Sequence, residues 1–403
     1  MKIAVIGGGA AGLASAHYLA KRYDVELFER QNTLGGNIRT LGKNAERGLL
    51  PDGITVDNGV IEFLRDRSPH FTSLLSELGV QCESISTGSS GLFLEDGRHF
   101  HSPGAIKRSG SFKVKLNGYW KLATLLPYLP LILLRILGNR SNRFGDVLGQ
   151  DYLSNWLRML TMYGFSMPYS KMNQFPLDIA KGALRRGRPG VSWMRIPGGV
   201  YSYPQAILDR GEIEINTAVG DLKVSRQSDN VILRVDGTEI QFDHVVFATP
   251  PHEVLDLMED PTLLEKRLFS GWQSNHIETI IHTDASLYER WKPSEMTEFD
   301  VFEKDAGEDA GYNAYLNRLS GLPEQPPHYF LAFNMLDRID PALIVQRQSH
   351  TTTWFTADNT RHEIRSRNGV NHTWFAGAWL CDGLHEGAIE SAVQVARELG
   401  IRI

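Results

Sequence analysis

The chain has 403 residues, of which 42% are hydrophobic and 22% charged, and its net charge is −5 at pH 7. This length exceeds what one compact core usually holds, so we expect two domains. The lack of a basic excess argues against a nucleic-acid partner, and two cysteines, Cys82 and Cys381, are too few for a disulfide framework or a cysteine-based metal cluster.

The first thirty residues predict a β-α-β unit. Residues 2–6 form a short aliphatic run typical of a buried strand, and no stretch resembles a secretory signal, so we expect a cytoplasmic protein. Helical spacing follows over Leu13–Arg22, and Val25–Glu29 reads as a second strand, parallel to the first. Further along, we expect a helix over Pro69–Leu78 and a hairpin around Glu95–Arg98.

The middle of the chain, about 119–184, is predicted to be largely helical, and residues 185–190 to form a surface linker. Its apolar run Leu122–Leu134 contains two prolines and is shorter than the roughly 20 residues that span a bilayer. Two interpretations carry equal weight: a peripheral membrane-facing or tunnel-lining element over 119–138, or a buried core helix. Because the protein is acidic, any membrane contact would have to be hydrophobic.

The C-terminal half returns to an α/β pattern. Strands are predicted at Val231–Val235, His244–Ala248, Ile277–Thr283 and Thr373–Gly377, with a helix over Gly387–Leu399. We therefore expect a discontinuous nucleotide-binding domain interleaved with a substrate domain. The predicted domains are 1–75, 200–250 and 365–403 for the former, and 76–199 and 251–364 for the latter.

Glycines follow the first strand in the pattern Gly7-x-Gly9-x-x-Gly12, at the start of the predicted helix. The first glycine permits a tight turn, the second lets backbone N–H groups approach a pyrophosphate, and the third allows close packing of helix on strand. Glu29 ends the second strand, where its carboxylate can accept hydrogen bonds from both ribose hydroxyls. We predict a dinucleotide site; the alternative is a glycine-rich turn with a solvated glutamate.

Four blocks, in order, resemble the superfamily of flavin amine oxidases, protoporphyrinogen oxidases and phytoene desaturases. A Leu-Gly-Gly block at 34–40 follows the glycine motif, and the segment 56–80 comes next. The third block, 216–219, precedes strands that end at 245–251, and the fourth, 374–391, resembles the C-terminal flavin motif. The likeness covers nearly the whole chain and is greatest to bacterial proteins described only as predicted NAD/FAD-binding oxidoreductases.

This resemblance implies an α/β fold with a Rossmann-like FAD-binding domain of the GR2 type and an inserted mixed α+β substrate domain. It implies noncovalent FAD and no metal, with the N–H groups of a helix starting near Gly387 directed at the flavin C2 carbonyl. Asn37 stands where the family usually has arginine, and Arg39 is the candidate to replace that cation. The residues implied to line FAD are Gly7, Gly9, Ala10, Ala11, Gly12, Glu29, Arg30, Gly35, Gly36, Asn37, Arg39, Gly59, Val60, Ile61, Glu62, Val219, Gly377, Ala378, Glu386, Gly387 and Ala388.

Candidate catalytic residues come from the same resemblance. Amine oxidases of the superfamily commonly place a lysine near flavin N5, and the matching position here holds Glu278, which argues against lysine-assisted oxygen chemistry. Trp379 lies near one of the aromatic positions that enclose an amine. His385 could act as a base or proton shuttle, although a structural hydrogen bonder at a turn is the favoured interpretation. Cys381 is expected to be a small buried residue rather than a flavin attachment point.

The resemblance implies an FAD-dependent oxidoreductase that takes a hydride from a hydrophobic small-molecule substrate, with electrons passed to O2 or another acceptor. One alternative is a flavin amine oxidase that releases hydrogen peroxide, and another is a flavin-bound isomerase. From a different class, the chain could be a non-catalytic FAD-binding or membrane-associated partner protein. Substrate, electron acceptor, catalytic base and oligomeric state stay open at the level of sequence.

Overall fold

The computed structural model describes residues 1–85, 88–138, 142–180, 192–354 and 358–403, so the predicted linker at 185–190 lies outside the described residues. In chain order, the strands are β1 Lys2–Ile6, β2 Asp24–Phe28, β3 Phe63–Leu64, β4 Glu83–Ser84, β5 Ser90–Phe93, β6 His99–His101, β7 Trp193–Arg195, β8 Glu214–Asn216, β9 Leu222–Arg226, β10 Val231–Val235, β11 Thr238–Phe242, β12 His244–Phe247, β13 Gln273–His282, β14 Phe299–Lys304, β15 Asp309–Tyr315, β16 Phe330–Phe333, β17 Ile344–Trp354 and β18 Thr373–Phe375. The α-helices include α1 Ala10–Ala20, α2 Pro69–Leu78, α3 Pro103–Arg108, α4 Phe112–Ala123, α5 Tyr128–Gly138, α6 Tyr152–Phe165, α7 Ser202–Leu208, α8 Val254–Leu257, α9 Leu263–Phe269, α10 Leu316–Ser320, α11 Asp358–Arg365 and α12 His385–Glu398.

A parallel sheet in the order β18-β12-β1-β2-β8 forms the first layer of the molecule. Its three central strands, β1, β2 and β12, are short and largely aliphatic runs that are buried on both faces, as parallel strands usually are. Helix α1 packs against α12, and α12 packs against α2. The predicted β-α-β unit is confirmed, since β1 and β2 pair in parallel with Lys2 opposite Asp24. The carboxyl ends of β1, β12 and β18 meet at one edge, where ligands bind in sheets of this kind.

A second, seven-stranded sheet has the order β17-β13-β16-β15-β14-β5-β6. Pairing is antiparallel except between β5 and β14. The register places Thr279 opposite Phe333, and Phe333 opposite Tyr312, so these three side chains share one face. That face adjoins the large hydrophobic cluster to which α6 contributes Met159 and Met162, while the other face packs against a smaller aromatic cluster.

The structure confirms several predicted elements. Helix α2 covers Pro69–Leu78 as expected, and the hairpin at 95–98 closes with a 2.9 Å hydrogen bond from the Leu94 N–H to the Arg98 carbonyl oxygen. The C-terminal helix begins at His385, two residues before the expected start. The boundaries of the two domains stay a prediction.

The apolar run at 122–134 lies partly in α4 and partly in α5. Its interpretation as a buried core helix is wrong for most of the run, because only Leu125 and Ile132 within it are buried. Within the described residues, no helix combines the length and the apolar character needed to cross a membrane.

Candidate functional site

The loop after β1 brings three glycines to the carboxyl edge of the parallel sheet. A Cβ at Gly7 would lie 2.7 Å from the Ala248 carbonyl oxygen, and a Cβ at Gly12 would lie 1.8 Å from the Gly7 oxygen, so the fold itself requires glycine at both positions. Gly9 differs, because a Cβ there would meet nothing nearer than the Gly36 Cα at 3.9 Å. The missing side chain at Gly9 therefore leaves open space, as a position that approaches a ligand requires.

The N-terminus of α1 opens onto this space. No side chain caps the helix at Gly9, so the N–H groups of Ala10 and Ala11 have no side-chain acceptor there. Exposed N–H groups and the helix dipole make such an end suitable for an anion. At the end of β2, the Glu29 carboxylate accepts hydrogen bonds from the N–H groups of Gly8 at 2.6 Å and Gln31 at 2.8 Å. It fixes the glycine loop, and each oxygen retains a lone pair for a further donor.

Arg39 is buried beside this loop with one nitrogen unsatisfied. Its Nη2 donates a hydrogen bond to Gln31, whereas Nη1 has no partner among the described residues. Burial lowers the pKa of the guanidinium. A buried donor without a partner costs free energy, which an anionic group at this position would recover. Asn37, at the position of the family arginine, instead donates to the Thr351 carbonyl oxygen at 3.1 Å.

Three further residues of the expected cofactor set surround the same loop. The Gly35 N–H donates to the Gly8 carbonyl oxygen at 2.8 Å, which holds the second glycine pair against the first. The Val219 N–H donates to the Glu29 carbonyl oxygen at 3.1 Å, so the third sequence block lies beside the end of β2. The Arg30 side chain points to solvent and forms an ion pair with Glu253 at 3.1 Å.

A buried carboxyl group in the second sequence block, to which the sequence assigned no role, connects two distant segments near the loop. Asp57 accepts hydrogen bonds from the Thr40 hydroxyl and from the Val200 N–H at 3.1 Å. Burial raises the pKa of Asp57 to about 7. The carboxyl fixes residue 40 against residue 200 and thereby sets the position of the second glycine block.

The segment 58–62 meets the shared face of the seven-stranded sheet. The Thr279 hydroxyl donates to Asn58, and His350 Nε2 lies 2.9 Å from the Thr279 oxygen. We call Asn58, Thr279 and His350 the polar cluster. Burial lowers the pKa of His350 to about 4, so its ring is neutral at pH 7. A Cβ at Gly59 would lie 2.1 Å from the Asn37 carbonyl oxygen and 3.5 Å from the His350 ring, which places the polar cluster against the expected flavin segments.

Glu278 does not belong to this cluster. Because side chains alternate along a strand, Glu278 lies on the face of β13 opposite Thr279. Its side chain is 44% exposed, forms an ion pair with Arg347 at 3.4 Å and lines an open cavity of about 420 Å³. The expectation of a catalytic role for Glu278 is corrected in this respect: the residue of β13 that faces the expected flavin segments is Thr279.

Glu62 lies among aromatic rings on the same side of the sheet. Its carboxyl oxygen is 3.4 Å from the Tyr163 hydroxyl, and burial raises the pKa of Glu62 to about 7. The Tyr163 ring is centred 4.9 Å from that of Phe299 and 4.7 Å from that of Tyr312. We call Tyr163, Phe299 and Tyr312 the aromatic cluster. A protonatable carboxyl next to aromatic faces can bind a cation, or can donate a hydrogen bond when neutral.

The C-terminal motif reaches the sheet edge, but its geometry departs from the expectation. The N–H of Gly387 donates to the Asp382 carboxylate at 3.0 Å. The Asp382 carboxylate therefore lies where the flavin C2 carbonyl was expected to accept this hydrogen bond. Ala388 lies in the first turn of the same helix. Trp379, which follows Gly377 and Ala378, has its ring centred 5.0 Å from that of Trp272 at an angle of 69°. The two rings touch, so no slot for a substrate lies between them.

His385 and Glu386 are engaged in packing. The Tyr203 hydroxyl lies 2.9 Å from His385 Nε2, and burial lowers the pKa of His385 to about 4, which supports the structural interpretation. The Glu386 carboxylate accepts hydrogen bonds from the N–H groups of His70 at 3.0 Å and Phe71 at 2.9 Å, at the start of α2. Only the backbone of Glu386 is left for a cofactor role. Burial raises the pKa of the half-buried Cys381 thiol to about 12.

Sequence reasoning missed the polar cluster as a unit. Alternation along the predicted strand at 277–283 already placed Thr279 and Glu278 on opposite faces, and this signal could have identified Thr279. Asn58 and His350 gave no comparable signal, since their contacts join residues 221 and 71 positions apart in the chain from Thr279.

Comparison with known proteins agrees with this geometry. The sequence model of the NAD(P)-binding Rossmann-like domain family matches residues 5–78. Coproporphyrinogen III oxidase from Staphylococcus aureus is 25% identical over 323 residues, which cover 69% of this chain and 66% of that protein. An uncharacterized protein from Methanocaldococcus jannaschii is 26% identical over 200 residues, covering 47% of this chain and 45% of that protein. The matches thus span about half to two thirds of the length of these relatives.

Two solved structures align over almost their full length. An Exiguobacterium protein assigned as a protoporphyrinogen oxidase superposes with a TM-score of 0.67 at 17% identity, covering 99% of this chain and 98% of that one. Putrescine oxidase bound to putrescine gives a TM-score of 0.66 at 14% identity, covering 100% of both chains. The chain has the fold of the flavin amine oxidase and protoporphyrinogen oxidase superfamily. The expected fold class and the resemblance seen in the four sequence blocks are confirmed at the level of this superfamily fold.

Proposed function

We propose that this protein is an FAD-dependent oxidoreductase that takes a hydride from a hydrophobic small-molecule substrate, oxidising a C–C or C–N bond, and passes electrons to O2 or another acceptor. The observation that carries the proposal is a series of close approaches from the glycine loop to the sheet face. Gly9 approaches Gly36, Asn37 approaches Gly59, and Gly59 approaches His350. An elongated dinucleotide fits such a series, with its diphosphate near α1 and its other end beside the polar and aromatic clusters.

The residues of this chain suit noncovalent FAD. The unsatisfied Nη1 of Arg39 and the N-terminus of α1 would hold the diphosphate, while Glu29 would accept from the ribose hydroxyls and the Val219 backbone would contact adenine. Bound FAD supplies the redox chemistry that amino-acid side chains lack. The raised pKa of Cys381 keeps its thiol protonated, which disfavours attachment through sulfur and supports noncovalent binding.

The sheet face supplies the environment for the substrate. Phe299 and Tyr312 are buried and would exclude water and favour an apolar substrate. The neutral His350 and the Thr279 hydroxyl hold each other in a fixed orientation and can hydrogen-bond a polar group at the reacting end. This arrangement supports the hydrophobic substrate class.

A specific observation favours amine oxidation as a second candidate. The Glu62 carboxyl lies among aromatic rings, and above pH 7 it would carry the negative charge that attracts an ammonium group. A non-catalytic FAD-binding protein is the alternative from a different class, and no residue of the site favours it.

The test is an anaerobic screen in which the purified, flavin-loaded protein is mixed with amines, porphyrinogens, polyenes or fatty acyl compounds. Reduction of the flavin is measured as a loss of its absorbance. We expect one class to reduce the flavin. Gly9→Val should abolish flavin binding and leave the fold intact, because the side chain would fill open space rather than displace protein atoms. Gly271→Val is the matched control, since a Cβ at Gly271 would likewise enter open space, with nothing within 4 Å, but Gly271 lies outside the glycine loop.

Glu29→Ala should also weaken flavin binding, since each lost charge-assisted hydrogen bond contributes roughly 1.5–3 kcal/mol. Normal flavin retention in both variants would contradict the site. Hydrogen peroxide release with amines alone would select the second candidate. Bound flavin that dithionite but no substrate class reduces would support the non-catalytic alternative.

A further inference from the structure

Helices α4 and α5 present an unusual apolar surface. Leu125 and Ile132 point inward, whereas the exposed side chains include Phe112 at 80% exposure and Trp120 at 69%. The apolar surface, as we name it, consists of Phe112, Val114, Leu116, Tyr119, Trp120, Leu126, Leu129, Leu131, Leu133 and Leu134. Single exposed apolar residues are normal in proteins, but ten exposed apolar side chains on two successive helices and the turn between them mark an interaction site.

The amphipathic pattern of α4 is reversed relative to a helix that covers a core. The helix meets the body of the protein through Gly118, whose Cβ would lie 3.0 Å from Ile106, and through Lys121, whose ammonium lies 3.5 Å from the His99 carbonyl oxygen. None of the residues of α4 is buried. In a helix that packs only against its own protein, the apolar stripe faces the core. The apolar stripe of α4 faces outward instead, which suits contact with an apolar environment outside the protein.

Within the stretch of sequence that forms these helices, all charged side chains have one sign. From Gly97 to Gly145 the sequence contains nine Lys or Arg residues and no Asp or Glu, although the whole protein carries −5. Several of these cations are engaged within the protein, because Arg98 pairs with Asp96, Arg108 pairs with Glu298, and Lys121 contacts the His99 carbonyl oxygen. Lys107, Lys113 and Arg135 are exposed beside the apolar surface. The expectation that any membrane contact would be hydrophobic was based on the net charge of the whole protein, and it did not consider that this stretch of sequence is basic.

We infer that the apolar surface docks on an anionic lipid bilayer, with its leucine and aromatic side chains at the acyl boundary and the neighbouring lysines among the headgroup phosphates. Charge complementarity selects this occupant. A second copy of the chain would bring the same basic residues together across a two-fold interface, where they would repel. The inference is independent of the redox chemistry, because no residue of the surface belongs to the proposed cofactor site.

The test is co-sedimentation of the full, flavin-loaded protein with vesicles of phosphatidylcholine, alone or mixed with phosphatidylglycerol. We expect binding to the anionic vesicles that decreases as salt rises. The double variant Trp120→Ser/Leu126→Ser and the double variant Lys107→Glu/Lys113→Glu should each lower the partition coefficient by about tenfold or more. Leu263→Ser is the control, because Leu263 is 87% exposed and lies on α9.

Flavin content and melting temperature of each variant show that the fold and the cofactor site are intact, which the exposure of the substituted side chains leads us to expect. Absence of binding to anionic vesicles, or equal binding by the wild type and both double variants, would overturn the inference. A dimer in light scattering that Trp120→Ser/Leu126→Ser converts to a monomer, without vesicle binding, would assign the surface to a second copy instead.

Discussion

Glu62 is the side chain of the proposed substrate site whose charge changes near neutral pH. Burial raises its pKa to about 7, and Asp57 and Glu298 add smaller contributions in the same direction. The group is therefore mostly neutral at pH 6 and mostly ionised at pH 8. Its hydrogen-bond partner is the Tyr163 hydroxyl, and among the described residues no cation forms an ion pair with the carboxyl. An ammonium group of a substrate could compensate the charge of the carboxylate.

We expect kcat/KM for a reactive amine to rise as pH increases through about 7, and Glu62→Gln to remove this rise and lower the value at pH 8 by roughly tenfold or more. For an uncharged substrate, kcat/KM should change little with pH or with Glu62→Gln, because the substrate has no ammonium group for the Glu62 carboxylate to bind. The measurement is steady-state kinetics from pH 6 to 8.5. Glu278→Gln is the comparison variant, since its carboxylate lies on the opposite face of β13; loss of the pH dependence in Glu278→Gln rather than Glu62→Gln would reverse our assignment.

At the scale of elements, α12 fixes α2 through one buried carboxylate. Glu386 accepts hydrogen bonds from the N–H groups of His70 and Phe71, while Ser68, the residue before the helix, provides no side-chain cap. Glu386 thus satisfies N–H groups that a helix start otherwise leaves unpaired. Family resemblance predicted Glu386 as a cofactor residue, because sequence reports the order of the motif but not the direction of each side chain.

Glu386→Gln should reduce the free energy of unfolding by about 1–3 kcal/mol, because the amide offers one acceptor where the carboxylate offers two and leaves a buried donor unpaired. Flavin content should be unchanged. Urea unfolding monitored by circular dichroism measures the first quantity and flavin absorbance the second. Glu390→Gln, on the same helix, is the matched control. Loss of flavin at wild-type stability would show that the Glu386 side chain serves the cofactor after all.

At the scale of the whole molecule, the sequence predicted what depends on local pattern and missed what depends on distant contact. The glycine loop, β1, β2 and α2 follow from residues close together in the chain, and the structure confirms them. The polar cluster depends on packing one sheet against a loop more than two hundred residues away. Exposure of α4 and α5 was equally inaccessible, since an apolar run of that length suits a core or a surface alike.

Buried histidines give the whole molecule a common pH dependence. Burial lowers the pKa of five of them to about 4, below the ordinary value of 6.5, and these are His99, His101, His282, His350 and His385. As pH falls below 6.5 the unfolded chain takes up these protons first, so stability falls. Burial raises the pKa of Asp57, Glu62 and Asp300 to about 7, which acts in the opposite direction but involves fewer groups.

We therefore expect the free energy of unfolding to be nearly constant from pH 7 to 6.5 and to decrease below pH 6. His282 offers the sharpest test, because it is fully buried, hydrogen-bonded to Asn313 at 2.8 Å, and on the face of β13 opposite Thr279. His282→Gln should reduce the difference in the free energy of unfolding between pH 7 and pH 5 by about 2 kcal/mol, because pH 5 lies about 1.5 units below the ordinary histidine pKa. Urea unfolding of the flavin-saturated protein at both pH values measures it. An equal reduction in the control His362→Gln, where the histidine is exposed, would show that burial is not the cause.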